Sequence, residues 1–259
     1  MKILDVTPTV APTAPVAPVV PVVPVLYIAT PAYGGMISIQ YASSVLQTQS
    51  ALTQNGIRAY FDILGNESLV QRGRNMLVAR MLKTDATHLL FIDADIGFTA
   101  DTVMRLLKSG KEIACAAYAK KYTDFELIKK KVLRGDTEPV NQMGLDWNVN
   151  IYSKAIVENG FLRCMDSATG FMMIQRDVFT RMAAKMPEIE CVNDILKQDG
   201  TPKYFAFFDC IIDPENKRYL SEDYTFCRRA QNIGIDVWVD IVSPLSHVGH
   251  VVYAGKRFV

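Results

Sequence analysis

The segment HLLFIDADIGF, residues 88–98, is the most informative part of the sequence, because an apolar run leads directly into Asp93 and Asp95. An uninterrupted apolar run predicts a strand buried on both faces, as in a parallel sheet covered by helices. Carboxylates that follow such a strand lie at the carboxyl edge of the sheet, where α/β folds bind ligands. A divalent cation would offset the cost of two carboxylates in one crevice, and oxygen ligands suit Mg²⁺ or Mn²⁺.

Apolar strands and helical segments alternate around this motif. The predicted strands cover residues 25–29, 58–63, 87–92 and 112–118, and the predicted helices between them cover residues 37–54, 68–83 and 99–108. This alternation predicts an α/β fold with a mostly parallel sheet and helices on both faces.

The second half of the chain has a less regular pattern. Residues 119–160 are polar and lack a clear period, which predicts loops with short strands, and the lysine run 129–131 is expected to be a solvated face. Further strands are predicted at residues 163–166, 170–174, 204–212 and 235–240, and helices at residues 177–185 and 221–232.

Composition limits the classes of function. The 259 residues are 49% hydrophobic and 21% charged, which is typical of a soluble globular protein. The 28 basic and 27 acidic residues give a net charge of +1, so nothing in the charge favours nucleic acid or an anionic membrane as a partner. Five cysteines without a Cys-x-x-Cys pair indicate reduced thiols, and we expect a soluble, cytoplasmic protein.

The start of the chain carries no charged side chain from Val6 to Ile57. Prolines recur at every third position from Pro12 to Pro24, and each removes a backbone donor, so this stretch cannot form a membrane-spanning helix. We expect residues 1–24 to be an extended tail and the chain to have no membrane span.

An Asp-x-Asp triplet alone is expected about once by chance in such a chain, but its place after a buried strand is specific. In this context the sequence resembles glycosyltransferases of the GT-A fold, which use nucleotide sugars, from about residue 25 to the end. The resemblance implies a nucleotide-binding half at 25–120 and an acceptor half at 121–259. It also implies Mn²⁺ or Mg²⁺ as cofactor, a UDP- or GDP-linked sugar as donor and a glycan or other hydroxyl as acceptor.

The resemblance also implies a set of nucleotide-binding residues. Arg74 and Asn75 resemble a pair that holds the diphosphate, Tyr33 in the first loop is expected to stack on the base, and Asp62 to contact the base or ribose. The implied nucleotide site consists of Thr30, Pro31, Tyr33, Asp62, Arg74, Asn75 and Asp93.

Metal and catalytic roles are implied in the same way. Asp93 lies near the ribose and the metal, Asp95 binds the metal directly, and His247 is the third ligand, with His250 as the alternative. Glu222 and Asp223 resemble the acidic motif at the start of a helix below the acceptor. In inverting members an aspartate there is the general base, which assigns Asp223 as base and Glu222 as its reserve or as an acceptor ligand.

Further segments leave alternatives open. Residues 167–174 resemble a strand entry in the acceptor half, where a glycine lets substrate approach the backbone. A haloacid-dehalogenase-like phosphatase would use Asp93 as nucleophile, but Gly97 stands where that family has Thr or Val. A sugar nucleotidyltransferase would need basic residues after Gly34–Gly35, and a carbohydrate-binding protein would keep the fold without catalysis. We expect a metal-dependent hexosyltransferase.

Overall fold

A computed structural model describes residues 23–193 and 202–250. The predicted extended tail lies outside the described residues, apart from its last two. Within the described ranges, no helix has the length and apolar character needed to cross a membrane.

The first half contains the predicted alternation of strands and helices. Its elements are β1 (Val25–Ala32), a 3₁₀ turn (Tyr33–Gly35), α1 (Ile39–Gln54), β2 (Arg58–Gly65), α2 (Val70–Leu82), β3 (His88–Ile92), β4 (Ile96–Gly97), α3 (Ala100–Lys108) and β5 (Ile113–Ala116). Ser38 and Thr99 cap α1 and α3, because each side chain accepts a hydrogen bond from a backbone N–H in the first turn.

The described part of the second half adds shorter strands and four helices. Its elements are α4 (Phe125–Arg134), α5 (Val140–Met143), β6 (Val149–Ile151), β7 (Val157–Glu158), β8 (Phe161–Ser167), β9 (Phe171–Gln175), α6 (Arg176–Lys185), a 3₁₀ turn (Pro187–Ile189), β10 (Glu190–Val192), β11 (Lys203–Phe205), β12 (Ile211–Ile212), β13 (Tyr219–Leu220), α7 (Glu222–Asn232), β14 (Val237–Asp240) and β15 (Ser246–His247).

Across residues 23–193 and 202–250, one nine-stranded sheet organises the fold, in the order β2-β1-β3-β9-β5-β14-β8-β6, with β7 also paired to β8. All of its strands run in one direction except β8 and β9. The prediction of an α/β fold with a mostly parallel sheet is therefore confirmed. The pairing is mixed, however, because β9 lies between β3 and β5 and runs antiparallel to both.

The core lies on both faces of this sheet, and alternate residues of β3 show why its sequence is apolar throughout. Leu89 and Phe91 pack with residues of α2, α6 and α7, whereas Leu90 and Ile92 pack with residues of α1 and α3. Helices therefore cover both faces, as predicted.

Two predictions for the second half are wrong. Residues 119–160 contain the helix α4, which Asp124 caps by accepting from the Leu127 N–H at 2.8 Å and which ends at Gly135 with φ 84°. The lysine run lies on α4, none of whose residues is buried, so the prediction of a solvated face for this run is confirmed. Residues 204–212 form no single strand, because β11 and β12 belong to separate two-stranded sheets and the intervening Phe207 and Phe208 are buried in the core.

Candidate functional site

A cleft of about 640 Å³ opens at the carboxyl ends of β1 and β3. Asp93 and Asp95 follow β3 directly and line this cleft, as do Arg74 from α2, Lys121 and His247. Segments that are far apart in sequence thus meet at the edge of the sheet where α/β folds bind ligands.

Arg74 connects two acidic segments. Its Nη2 donates to Asp93 Oδ1 at 3.1 Å, and its Nε donates to Glu222 Oε1 at 3.2 Å, 148 residues away in the sequence. The side chain is packed against the ring of Phe91 and the residue is only 4% exposed. Burial lowers the pKa of Arg74, but Asp93 and Glu222 outweigh that effect and raise it above its ordinary value, so the guanidinium stays charged.

One polar group of Arg74 remains available. Its Nη1 is buried and has no hydrogen-bond partner within the described ranges, although the residue lines the cleft. A buried N–H without a partner costs free energy, and an anionic ligand in the cleft would remove that cost.

Asp95 is held by the C-terminal segment. His247 in β15 pairs with Ile96 in β4, and the Val248 N–H donates to the Asp95 carbonyl at 2.9 Å. This register places His247 Nε2 3.5 Å from Asp95 Oδ1, and Lys121 Nζ forms an ion pair with Oδ2 of the same carboxylate. Burial alone would raise the pKa of Asp95, but the contacts with His247 and Lys121 lower it to about 2.

A glycine makes this arrangement possible. A Cβ at Gly97 would collide with Ser246 Oγ and would come within 2.9 Å of Gln40 Cβ. Gly97 therefore allows β15, and with it His247, to lie against the segment that carries Asp95.

The tautomer of His247 suits a metal ligand. Its Nδ1 lies 2.8 Å from the Ala119 carbonyl oxygen, which can only accept, so Nδ1 carries a proton. This hydrogen bond directs the other ring nitrogen, Nε2, towards Asp95, and ligating histidines are commonly oriented in this way.

The predicted three-residue metal site is only partly assembled. Among the residues that the structure describes, no group of three or more His, Cys, Asp or Glu side chains could hold a metal ion. Asp93 is paired with Arg74 instead, which leaves Asp95 and His247 facing each other. One carboxylate and one imidazole fit Mn²⁺ or Mg²⁺ when substrate phosphates complete the coordination.

Glu222 and Asp223 occupy the first turn of α7. Ser221 Oγ donates to Asp223 Oδ1 instead of capping the helix, and the Tyr224 N–H donates to the same oxygen at 2.8 Å. Burial and the neighbouring Glu222 raise the pKa of Asp223. A carboxylate with a raised pKa is a better proton acceptor than an ordinary aspartate. Neither residue lines the cleft itself, to which Glu222 is joined by Arg74.

The site has more negative than positive charge. Four carboxylates, those of Asp93, Asp95, Glu222 and Asp223, lie near two basic side chains, Arg74 and Lys121, so two negative charges are in excess when all six groups are ionised. A divalent cation would balance this charge.

The structure places the other predicted nucleotide residues in two groups. Pro31 and Tyr33 line the cleft, and the Tyr33 side chain is available for stacking because the residue is 75% exposed. Thr30 is fully buried, with its hydroxyl 2.5 Å from that of Tyr41. Asp62 accepts from the Tyr27 hydroxyl at 2.6 Å and from Arg80, and it does not line the cleft.

Asn75 is also turned away from the cleft. Its Nδ2 donates to the Phe208 carbonyl at 2.8 Å and its Oδ1 accepts from the Phe208 N–H at 2.9 Å. These two bonds satisfy a buried backbone segment that lies 133 residues further along the chain. The structure therefore gives Asn75 a structural role, and its nucleotide contact stays a prediction.

We expect Asn75→Ala to lower the free energy of unfolding by about 2 kcal/mol, because it leaves two buried backbone groups of Phe208 without partners. Urea unfolding measures this loss, and Asn55→Ala, at an exposed helix end, is the control with a smaller expected effect. A variant with unchanged stability and weakened UDP or GDP binding would contradict the structural role and restore the nucleotide contact.

Two residues of this region were missed in the sequence. Lys121 follows β5 by a few positions, and its proximity to Asp95 depends on the fold of the intervening loop. The Tyr118 hydroxyl accepts from the Gly170 N–H at 3.2 Å, and a Cβ on Gly170 would collide with that hydroxyl and with Asp93. Gly170 therefore makes room for Tyr118 and Asp93 and not, as expected, for substrate.

In sequence, no protein-family model and no curated protein matches the chain. In structure, the chain is similar to A197 from STIV, with 15% identity and a TM-score of 0.44 over 91% of this chain and 100% of the other. It is similar to GalNAc-T7 solved with UDP, GalNAc and Mn²⁺, with 9% identity and a TM-score of 0.42, over 88% of this chain and 43% of the other.

A third similar structure is a glycosyltransferase involved in the glycosylation of the major capsid of PBCV-1. The identity is 9% and the TM-score 0.31, over 64% of this chain and 65% of the other. Similarities this low assign no function, cofactor or residue role to this chain.

Proposed function

We propose that this protein is a metal-dependent glycosyltransferase that moves a hexose from a UDP- or GDP-linked donor to a hydroxyl of a glycan or another acceptor. The observation that carries the proposal is the cleft at the tip of β3, where Asp95 faces His247 Nε2 at 3.5 Å and Arg74 contributes an unpartnered buried N–H. Cation ligands and an anion donor thus stand side by side, as a metal-bound diphosphate requires.

In this proposal Asp95 and His247 hold Mn²⁺ or Mg²⁺, which neutralises the charge that develops on the departing diphosphate. Asp93 contacts the ribose and remains fixed by Arg74, whose free Nη1 donates to a phosphate oxygen. Pro31 and the exposed Tyr33 form the base platform. Residues 25–120 supply most of this nucleotide site, and residues 121–259 supply His247, Lys121 and the acceptor side.

The chemical step assigned to Asp223 is proton removal. The bond between the sugar C1 and the diphosphate oxygen breaks, C1 bonds to the acceptor oxygen, and the acceptor proton moves to the Asp223 carboxylate. The raised pKa of Asp223 favours this transfer, and Glu222 keeps Arg74 in place beside it.

A donor screen tests the proposed function. The full chain is incubated with UDP- and GDP-hexoses, with Mn²⁺ or with EDTA, and the released nucleoside diphosphate is measured with and without a panel of sugar acceptors. We expect release from one donor class, dependent on Mn²⁺ and increased by acceptor. Release of inorganic phosphate from sugar phosphates, or no nucleotide release from any donor, would contradict the proposal.

A further inference from the structure

Lys121 holds the carboxylate that the proposed metal needs. Its Nζ forms an ion pair with Asp95 Oδ2, on the same side chain that faces His247 through Oδ1. Lys121 also lines the cleft at the tip of β3 and a neighbouring groove of about 840 Å³. It is therefore, like Arg74, a basic side chain in contact with the acidic residues of the site, next to the position where a metal-bound diphosphate is proposed.

The ion pair between Lys121 and Asp95 can break at low cost. Both side chains are partly exposed, at 40% for Lys121 and 35% for Asp95, and ion pairs in such positions are weak. The aliphatic part of Lys121 is in contact with Gly249, where an added Cβ would lie 3.1–3.4 Å from Cδ, Cγ and Cβ of the lysine. The base of the side chain is thus held by packing, whereas the ammonium group can move on a flexible stem.

We propose that Lys121 exchanges partners during donor binding: its ammonium neutralises Asp95 while the cation is absent and moves to the diphosphate when the cation binds. The proposal rests on the proposed function, since it requires a divalent cation at Asp95 and a diphosphate beside it.

Charge explains the direction of the exchange. A divalent cation at Asp95 repels a neighbouring ammonium group, so both cannot occupy the same carboxylate. The incoming diphosphate brings new negative charge to the same cleft, and the lysine can reach it by rotating about its stem. Lys121 therefore competes with the metal before the donor arrives and supports the leaving group afterwards.

The test compares Lys121→Met with Lys120→Met. Lys120 is the matched control because it is the preceding residue, is 43% exposed and pairs with a different aspartate, Asp146. Mn²⁺ binding to the full chain is measured by electron paramagnetic resonance of free Mn²⁺, first alone and then with UDP or GDP. We expect Lys121→Met to bind Mn²⁺ alone roughly three- to tenfold more tightly, and to bind the nucleotide in saturating Mn²⁺ roughly tenfold more weakly.

Lys120→Met should match the wild type in both measurements. Equal Mn²⁺ affinity in wild type and Lys121→Met, with nucleotide binding intact, would overturn the exchange and leave the proposed function standing. Nucleotide binding that does not depend on Mn²⁺ but disappears in Lys121→Met would overturn it as well. The lysine would then bind the nucleotide without a metal ion to displace it from Asp95. Failure of wild type and variant to bind Mn²⁺ with either nucleotide would overturn the proposed function along with the exchange.

Discussion

Replacement of Asp95 by alanine is expected to weaken Mn²⁺-dependent binding of UDP or GDP by roughly 100-fold and to reduce turnover by at least roughly 10³-fold. Asp95 is the carboxylate that His247 and Lys121 both contact, and its pKa of about 2 keeps it ionised at any working pH. Without it, the only protein ligand left to the cation in the proposed site is the imidazole of His247, and the diphosphate supplies all the negative charge. Titration calorimetry with and without Mn²⁺ measures the loss.

Asp146→Ala is the control for this experiment, because Asp146 also pairs with a lysine but on an exposed surface away from the cleft. It should bind nucleotide as the wild type does. Nucleotide binding by Asp95→Ala that is unchanged and still dependent on Mn²⁺ would show that the cation has other ligands.

Replacement of Asp223 by asparagine is expected to reduce kcat by roughly 10²- to 10⁴-fold with little change in the KM for donor, because it removes the proposed base and leaves the nucleotide cleft intact. In the wild type, activity should rise with pH through the pKa of Asp223, which lies above the ordinary aspartate value. This rise of activity at acidic pH should be absent from the pH profile of the variant. Asp101→Asn is the control, since Asp101 occupies the same position in the first turn of α3.

The stability of Asp223→Asn shows whether its loss of activity comes from a missing base or from a damaged fold. Because the folded state raises the pKa of Asp223, the folded protein binds this proton more tightly than the unfolded chain. The stability that this group contributes is therefore lost as the pH rises from the pKa that Asp223 has in the unfolded chain to its higher pKa in the folded protein. At pH 7 the ionised carboxylate thus destabilises the fold. The variant should consequently be at least as stable as the wild type in thermal unfolding. Normal turnover, or a marked loss of stability, would contradict the assignment.

The sequence was a good guide where structure depends on neighbouring residues. The apolar run before Asp93 predicted β3, and Thr99 marked the start of α3. The helix α4 was missed although Asp124 and Gly135 carry ordinary capping signals, because the surrounding residues 119–160 are polar and irregular in pattern. The position of β9 between β3 and β5 was not visible, since strand order depends on contacts between distant segments.

Individual site residues were harder to predict because their orientation depends on distant partners. Asn75 is adjacent to Arg74, yet its amide is taken by the backbone of Phe208. Asp62 accepts hydrogen bonds from Tyr27 and Arg80 outside the cleft. His247 reaches Asp95 only through the pairing of β4 with β15, which joins segments about 150 residues apart.

The central claim is that Asp95 and His247 hold a divalent cation that in turn binds a diphosphate. Crystals grown with Mn²⁺ and UDP or GDP, with diffraction data collected at the manganese absorption edge, test it most directly. We predict one anomalous peak between Asp95 and His247 Nε2, in contact with diphosphate oxygens, and Lys121 released from Asp95. Nucleotide bound in the cleft without manganese, with Lys121 still paired to Asp95, would contradict the account.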